Sequence, residues 1–372
     1  MKQENLYVDI NVLQTVPSSN INRDDTGSPK TAVYGGVTRS RVSSQSWKRA
    51  MRIAFAEDND DAEWLKGHRT KRSAKLLADE LMKQDGSLSF EDARKKAKEI
   101  LSAMGVKFDR VKKSDKNDDK DYETKVLLFF SHGELEKLAK YALTNDEFDK
   151  KEAKKLLNEK QSIDIALFGR MVADDPELNV DASSQVAHAI STHEIVPEFD
   201  YFTAVDDAQS NGESGSAMLG TIEYDSSTLY RYANVNVKEL INNIGNNDVA
   251  IKGLRAFLKA FVMSMPNGKQ NTFANKTVPQ YVMVTVRKDT PVNLVSAFEE
   301  PVTSRKGYLQ PSIKKLEKEF QNTQKFVQKP LATFVLTTAA SGLEGQADNL
   351  DDLMSKVVET VETRVKNEDA NN

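Results

Sequence analysis

Between Asp25 and Glu57 the chain carries six basic side chains and no acid: Lys30, Arg39, Arg41, Lys48, Arg49 and Arg52. Cations at this density without counter-charge suit an anion whose charge repeats, such as a run of phosphates. Placing Gln45 to Phe55 on a helix at about 100° per residue gathers Lys48, Arg52, Gln45 and Arg49 into one sector of about 100°. Trp47, Met51 and Ala54 fall on a separate apolar face. Ser43 or Ser44 stands where the cap belongs, so cations and helix N-terminus converge on one anion site. Arg39 and Arg41, two residues apart, share one side of a strand. The competing reading is an amphipathic helix whose basic face is only solvated.

Other chemistry finds little support. The chain has no cysteine, which excludes thiolate nucleophiles, thiolate zinc sites and disulfides. There are four histidines, His68, His132, His188 and His193. His188 and His193 are five apart and would face opposite sides of a strand, so both are expected as hydrogen-bonded structural residues. Asp174-Asp175 and Asp206-Asp207 are paired carboxylates of a kind common in loops. Phosphate-binding glycine loops, dinucleotide fingerprints and nucleophile elbows are absent. No cofactor, metal site or catalytic set is expected, and the chain is read as no enzyme.

At 372 residues the chain suits one large domain with insertions or two domains. Its 52 Lys and Arg against 56 Asp and Glu give a net charge of −4, which by itself argues against a polyanion partner. Position reverses that inference. From Met171 to Tyr230 there are twelve acids and no Lys or Arg, and the last 30 residues carry eight acids against three bases. A basic entry and an acidic block fit a polyanion binder that also attracts copies of itself head to tail. No apolar stretch is long enough to span a membrane, and the first ten residues lack a signal-peptide core, so the expected location is cytoplasmic.

These residues need elements to hold them. Leu6 to Leu13 alternates as a strand, and Thr31 to Val42 is extended around Gly35-Gly36. Helices are expected over 71–84 and 90–104, the second started by Ser89 with Asp92. Lys107 to Lys125 is expected as a solvated or disordered loop, Ser131 to Glu134 as a capping box, and Lys150 to Lys160 as a basic helix. Ile163–Phe168, Val186–Val196, Ala217–Tyr224, Leu229–Val235 and Tyr281–Arg287 are expected as strands. Residues 249–265, 311–327 and 350–366 are expected as helices. The order predicts an α+β fold whose first strand returns to pair with late ones.

An ordered series of short strings resembles the CasC family, the CRISPR RNA-binding backbone subunit of the type I-E Cascade complex. The series begins with Asn22-Arg-Asp-Asp25, Tyr34-Gly-Gly36 and Arg39-Ser-Arg-Val-Ser-Ser-Gln-Ser-Trp-Lys-Arg-Ala-Met-Arg52. It continues with Asp164-Ile-Ala-Leu-Phe-Gly-Arg-Met171, Val186-Ala-His-Ala-Ile-Ser-Thr-His193 and Asp200-Tyr-Phe-Thr-Ala-Val-Asp-Asp207. Leu219-Gly-Thr221, Tyr230-Arg-Tyr-Ala-Asn-Val-Asn236, Gly268-Lys-Gln270 and Gly307-Tyr-Leu-Gln-Pro-Ser312 complete it.

The resemblance implies an RRM-like, ferredoxin-like palm split over 1–56 and 161–330. It also implies a helical fingers insertion over 57–160, a β-hairpin thumb within 182–225 and an acidic C-terminal segment over 331–372. It implies a subunit that polymerises along the spacer of a CRISPR RNA, grips its phosphates and kinks it at intervals with the thumb. The bases are left to pair with target DNA. By motif match, Arg23, Lys30, Ser43, Gln45, Lys48, Arg49, Arg52 and Arg170 would hold the guide, with Met171 beside the kinked nucleotide. Phe202 and Thr203 would be the thumb wedge, and Lys150, Lys151, Lys154 and Lys155 contacts to target DNA. Other Cascade subunits and further copies of the chain are the implied partners. The absence of an RNP-type aromatic signature agrees with holding a backbone rather than reading bases. Two other classes stay open: a CRISPR-associated RRM-fold endoribonuclease, and a stand-alone RNA coat or chaperone protein.

Overall fold

Tyr7–Ser19 forms the first strand, β1, and residues 8–14 are buried on both of its faces. Its apolar side chains Val8, Ile10 and Val12 are fully buried. The polar ones between them are hydrogen-bonded: Tyr232 Oη donates to Asp9 at 2.8 Å and Tyr230 Oη to Asn11 at 2.8 Å. A strand that can satisfy its polar positions in this way can sit inside a sheet.

The computed structural model describes residues 5–57, 67–109, 122–145, 147–158, 161–172, 176–204 and 218–369. After β1 come β2 (Thr31–Tyr34), β3 (Val37–Val42), α1 (Ser44–Glu57), β4 (Gly67–Thr70), α2 (Ser73–Gln84) and α3 (Phe90–Ala103). Next are β5 (Leu128–Ser131), α4 (His132–Thr144), α5 (Lys150–Asn158) and α6 (Ile163–Phe168). Then follow β6 (Ser184–Val186), β7 (Ala189–Ser191), β8 (Glu198–Ala204), β9 (Met218–Asn236), α7 (Val237–Ile244), α8 (Asn247–Met263) and α9 (Gln270–Phe273). The chain closes with β10 (Tyr281–Arg287), α10 (Leu309–Thr323), β11 (Ala332–Thr337) and α11 (Leu350–Asp369).

The chain divides into two compact units. The first comprises Met1–Ile53, Val186–Asn234 and Arg255–Asn372. Its sheet runs β11-β10-β1-β9-β7-β3-β2, with β6 and β8 also on β9. β1 pairs antiparallel with β10, Tyr7 opposite Arg287 and Leu13 opposite Tyr281, so the first strand does return to a late one. The core against this sheet includes Leu13, Tyr281, Met283, Phe298, Ile313, Leu316 and Val335.

The second unit, Ala54–Gln185 with Val235–Leu254, is mostly helical. Leu77, Leu81, Ile100, Leu101, Leu138 and Ala142 fill its core. The Ser131 capping box forms as expected: the Glu134 N–H donates to Ser131 Oγ, and the Ser131 N–H to Glu134 Oε2 at 2.7 Å. Ser89 Oγ likewise accepts from the Asp92 N–H.

Three expectations need correction. Ile163–Phe168 is a helix, not a strand. Its apolar run is too short for periodicity to decide, and the decisive signals are Ser162 before it and Gly169, at φ 77°, after it. The strands expected at 217–224 and 229–235 are one continuous strand of 19 residues. Of 186–196, only short strands at its start form. The loop over 107–125 lies largely outside the described residues, whereas the C-terminal segment supplies β11 and α11.

Asp9 has a consequence for stability. Burial pushes its carboxyl up to about 7, despite the N–H of Val292, the hydroxyl of Tyr232 and the charge of Arg287. The folded chain therefore holds a proton that the unfolded chain releases near pH 4. The contribution is fully present below about pH 4 and is lost as pH rises to about 7, up to about 4 kcal/mol. Urea midpoints measured from pH 4 to 8 should fall across that window in the wild type and flatten in Asp9→Asn. An equal pH slope in the two proteins refutes the assignment.

Candidate nucleic-acid interface

α1 begins as its sequence demands. Ser43 caps it: the Ser46 N–H donates to Ser43 Oγ at 3.3 Å, and the Trp47 N–H to the Ser43 carbonyl at 3.2 Å. No acid occupies the first turn, so the positive end of the helix dipole is not offset there. Trp47, Ala50, Met51 and Phe55 are buried. Gln45 and Arg49 are exposed, and Lys48 and Arg52 are half-buried on their stems. Burial holds the Lys48 ammonium below its ordinary value.

A second segment joins this helix start. The Ser43 N–H donates to Asn22 Oδ1 at 2.8 Å, and the Lys30 N–H to the Asn22 carbonyl at 2.9 Å. Arg23 is exposed and bridges to Pro29, and Lys30 is half-buried. Asp24 closes the loop between them, accepting from the hydroxyl and N–H of Thr26 and the N–H of Ser28. Arg23, Lys30, Ser43, Gln45, Lys48, Arg49 and Arg52 thus all belong to the sheet unit, on α1 and the loop tied to its cap. Asn22, which ties them, was not singled out from the sequence; its place in the Asn-Arg-Asp-Asp string was the available signal.

The two strand arginines part company. Arg39 is fully buried, its guanidinium donating to the carbonyls of Tyr34, Ser191 and Phe298 at 2.9–3.1 Å. It is a structural tie, not part of an anion-facing surface. Arg41 is half-exposed; its Nε donates to the Thr31 carbonyl and its Nη1 lies 3.2 Å from His188 Nδ1. Since Arg can only donate, Nδ1 accepts and His188 carries its proton on Nε2. His188 is exposed in a basic setting, and partial desolvation of its ring together with the charges of Arg41 and Lys30 lowers its basicity. His193 is structural as expected: it accepts the Thr228 N–H at Nε2 and stacks 3.7 Å from Tyr308.

The patch also gains an acid that its local sequence lacks. Asp225, on β9, lines a small cavity together with Lys30, Arg41 and Ser227, and accepts from Ser40 Oγ at 3.0 Å. Burial pushes its carboxyl up to about 6.

The hairpin of β8 and β9 pairs Glu198 with Tyr224 through to Ala204 with Met218. Cross-strand partners share a face. Phe199, Tyr201, Thr203 and Leu219 lie on one exposed face. Phe202 lies on the other, half-buried, its ring over Gly220, where a Cβ would collide with it.

Arg170 and Met171 belong to the helical unit. Arg170 is buried and donates to the carbonyls of Leu178 and Phe129 and to Glu134 Oε1 at 2.8 Å. Its neighbour Met171 is 84% exposed. On α5, Lys150, Lys151 and Lys155 are exposed, whereas Lys154 is buried and pairs with Glu177 at 2.6 Å. Asp174-Asp175 and Asp206-Asp207 lie outside the described residues. Among the described residues no group of three or more His, Cys, Asp or Glu could hold a metal, and no helix is long and apolar enough to cross a membrane.

The model of the CT1975-like protein family matches residues 8–361. The chain belongs to this family. Two solved structures place the CT1975-like chain further. A chain of a "CRISPR RNA-guided surveillance complex, pre-nicking" is 31% identical with a TM-score of 0.82, over 95% of this chain and 99% of the other. A chain of a "CRISPR RNA-guided surveillance complex" is 27% identical with a TM-score of 0.72, over the same shares. No curated protein sequence matches. The CT1975-like match bears out the resemblance to CasC, and the α+β fold with its antiparallel sheet matches that of the surveillance-complex chains.

Proposed function

We propose that this protein is the backbone subunit of a type I-E Cascade complex. It polymerises head to tail along the spacer of a CRISPR RNA in the cytoplasm, joins other Cascade subunits, and has no catalytic role. The observation that carries the reading is α1: a helix capped by Ser43, without an acid in its first turn, whose outward side bears Gln45, Lys48, Arg49 and Arg52. Family membership and the likeness to surveillance-complex chains support it.

Ser43 Oγ accepts from the Ser46 N–H and keeps its own hydrogen for a phosphate oxygen. Lys48, Arg49 and Arg52 add charge, with Arg23 and Lys30 from the adjoining loop. Arg170 acts indirectly: its buried ion pair fixes the segment that presents the exposed Met171 to a nucleotide. The β8–β9 hairpin serves as the thumb, with Phe202 and Thr203 near its tip. Its acids Glu198 and Asp200, with Glu194 just before β8, repel phosphate and favour the basic palm of the next copy. Lys150, Lys151 and Lys155 are the exposed cations of α5 suited to target DNA.

The test is expression with and without a CRISPR RNA, followed by mass measurement of the purified particles. Defined oligomers that form only with the RNA are expected. Monomers that cleave the RNA would sink the reading in favour of an endoribonuclease, for which His188 in its basic setting is the residue to replace first.

A further inference from the structure

Against Trp47, on the buried side of α1, lies a buried cation. Arg231, on β9, is 1% exposed. Its guanidinium lies 3.8 Å from the centre of the Trp47 ring and 4.8 Å from that of Phe261. Nη1 donates to Gln14 Oε1 on β1 at 2.6 Å, and Nη2 to the Phe261 carbonyl. Gln14 is itself fixed by donating to the Thr277 carbonyl at 2.9 Å. One guanidinium therefore ties β1, β9, the end of α8 and, through Trp47, α1.

The charge balance is unusual. Among the described residues no carboxylate pairs with Arg231, and burial alone lowers its guanidinium, to about 9, still charged at neutral pH. What faces it instead is the end of α8, whose last carbonyls lack intrahelical partners and carry partial negative charge. An apolar side chain of similar length would fill the space without the desolvation cost of a buried ion. The cation is less costly when an anion settles nearby, because a charge under a low-dielectric layer is little screened by salt.

We propose that Arg231 is a positioning residue for the anion-facing side of α1. It sets Trp47, and with it the rotation that presents Lys48 and Arg52, and its uncompensated charge strengthens the attraction for a polyanion. This rests on the gripping role proposed for α1 above. Arg231 touches no phosphate itself.

The test titrates the full chain with a mixed-sequence single-stranded RNA over a range of salt. It compares wild type, R231M, R231K and Lys48→Ala in a Trp64→Phe background, where Trp47 is the one tryptophan left. R231M is expected to bind about tenfold more weakly at every salt concentration with an unchanged salt slope, since the phosphates contacted are the same. Its Trp47 emission should shift as the cation leaves the ring. R231K keeps the charge but not the planar fork, and should fall between wild type and R231M. Lys48→Ala should instead flatten the slope by about 0.7, the mark of one lost phosphate contact. Wild-type affinity in R231M, with Trp47 emission displaced, overturns the proposal. So does a slope flattened as in Lys48→Ala, which would make Arg231 a direct contact. If R231M does not fold, the same two outcomes in R231K decide it. If Lys48→Ala also leaves RNA binding untouched, the gripping role of α1 fails, and that failure is distinct from failure at Arg231 alone.

Discussion

Replacing Lys48 and Arg52 together by alanine is expected to weaken single-stranded RNA binding by about tenfold or more near 0.15 M salt. Each phosphate contact on a single strand contributes about 0.7 to the slope of log affinity against log salt. Two lost contacts flatten that slope by about 1.4, which at roughly 0.15 M corresponds to about a tenfold loss. The loss should be the same for unrelated spacer sequences, because both side chains emerge from one helix face suited to phosphates, not base edges. Fluorescence anisotropy with two spacers across a salt series measures both quantities. A loss confined to one spacer would mean that the patch reads bases.

The largest effect on stability is expected inside the helical unit. Arg170 and Glu134 form an ion pair at 2.8 Å with side chains 3% and 0% exposed. Arg170→Met leaves the Glu134 carboxylate in the interior without its cation, a change that typically costs about 3–5 kcal/mol. Burial already pushes the Glu134 carboxyl above its ordinary value, against the pull of Arg170 and the Ser131 N–H. Without Arg170 it rises further, so the variant should regain stability as pH falls and Glu134 takes up a proton. Denaturant unfolding at pH 5 and pH 8 checks the sign. A second substitution, Glu134→Leu, should recover part of the loss, since removing both charges is less costly than stranding one. A variant as stable as wild type at both pH values would show that the pair is dispensable.

The two replacements probe residues that looked alike in the sequence. Arg170 and Arg52 each sit in a string resembling the same family, and that resemblance implies that both hold the guide. In the fold, Arg52 lies on the half-buried flank of α1, while Arg170 is enclosed by Leu178, Phe129 and Glu134. Lys154 follows the same pattern among the α5 lysines, buried against Glu177 while its neighbours are exposed.

Much was legible because it is local. The cap at Ser43, the capping box at Ser131 and Glu134, the apolar face of α1 and the strand at 281–287 all follow from interactions over a few residues. The helix at Ile163–Phe168 is hard to read from spacing because six residues, five apolar and Asp164, do not reveal a period, although Ser162 and Gly169 mark its ends.

The amino-acid sequence by itself determined the family, the α+β class, the absence of cysteine chemistry and the segment that carries the cations. It also determined which face of α1 those cations occupy, since helical spacing is a property of the local chain. Only the tertiary structure decided which cations meet solvent. Arg39 and Arg41 lie two apart on one strand, yet the Phe298 carbonyl, 259 residues away from Arg39, helps to enclose it. Asp225 reaches the basic patch, and Arg231 comes under Trp47, because β9 crosses the sheet beside β1 and β7. Whether a charged side chain is buried depends on what distant chain covers it, and that covering is set by strand order rather than by neighbours in sequence.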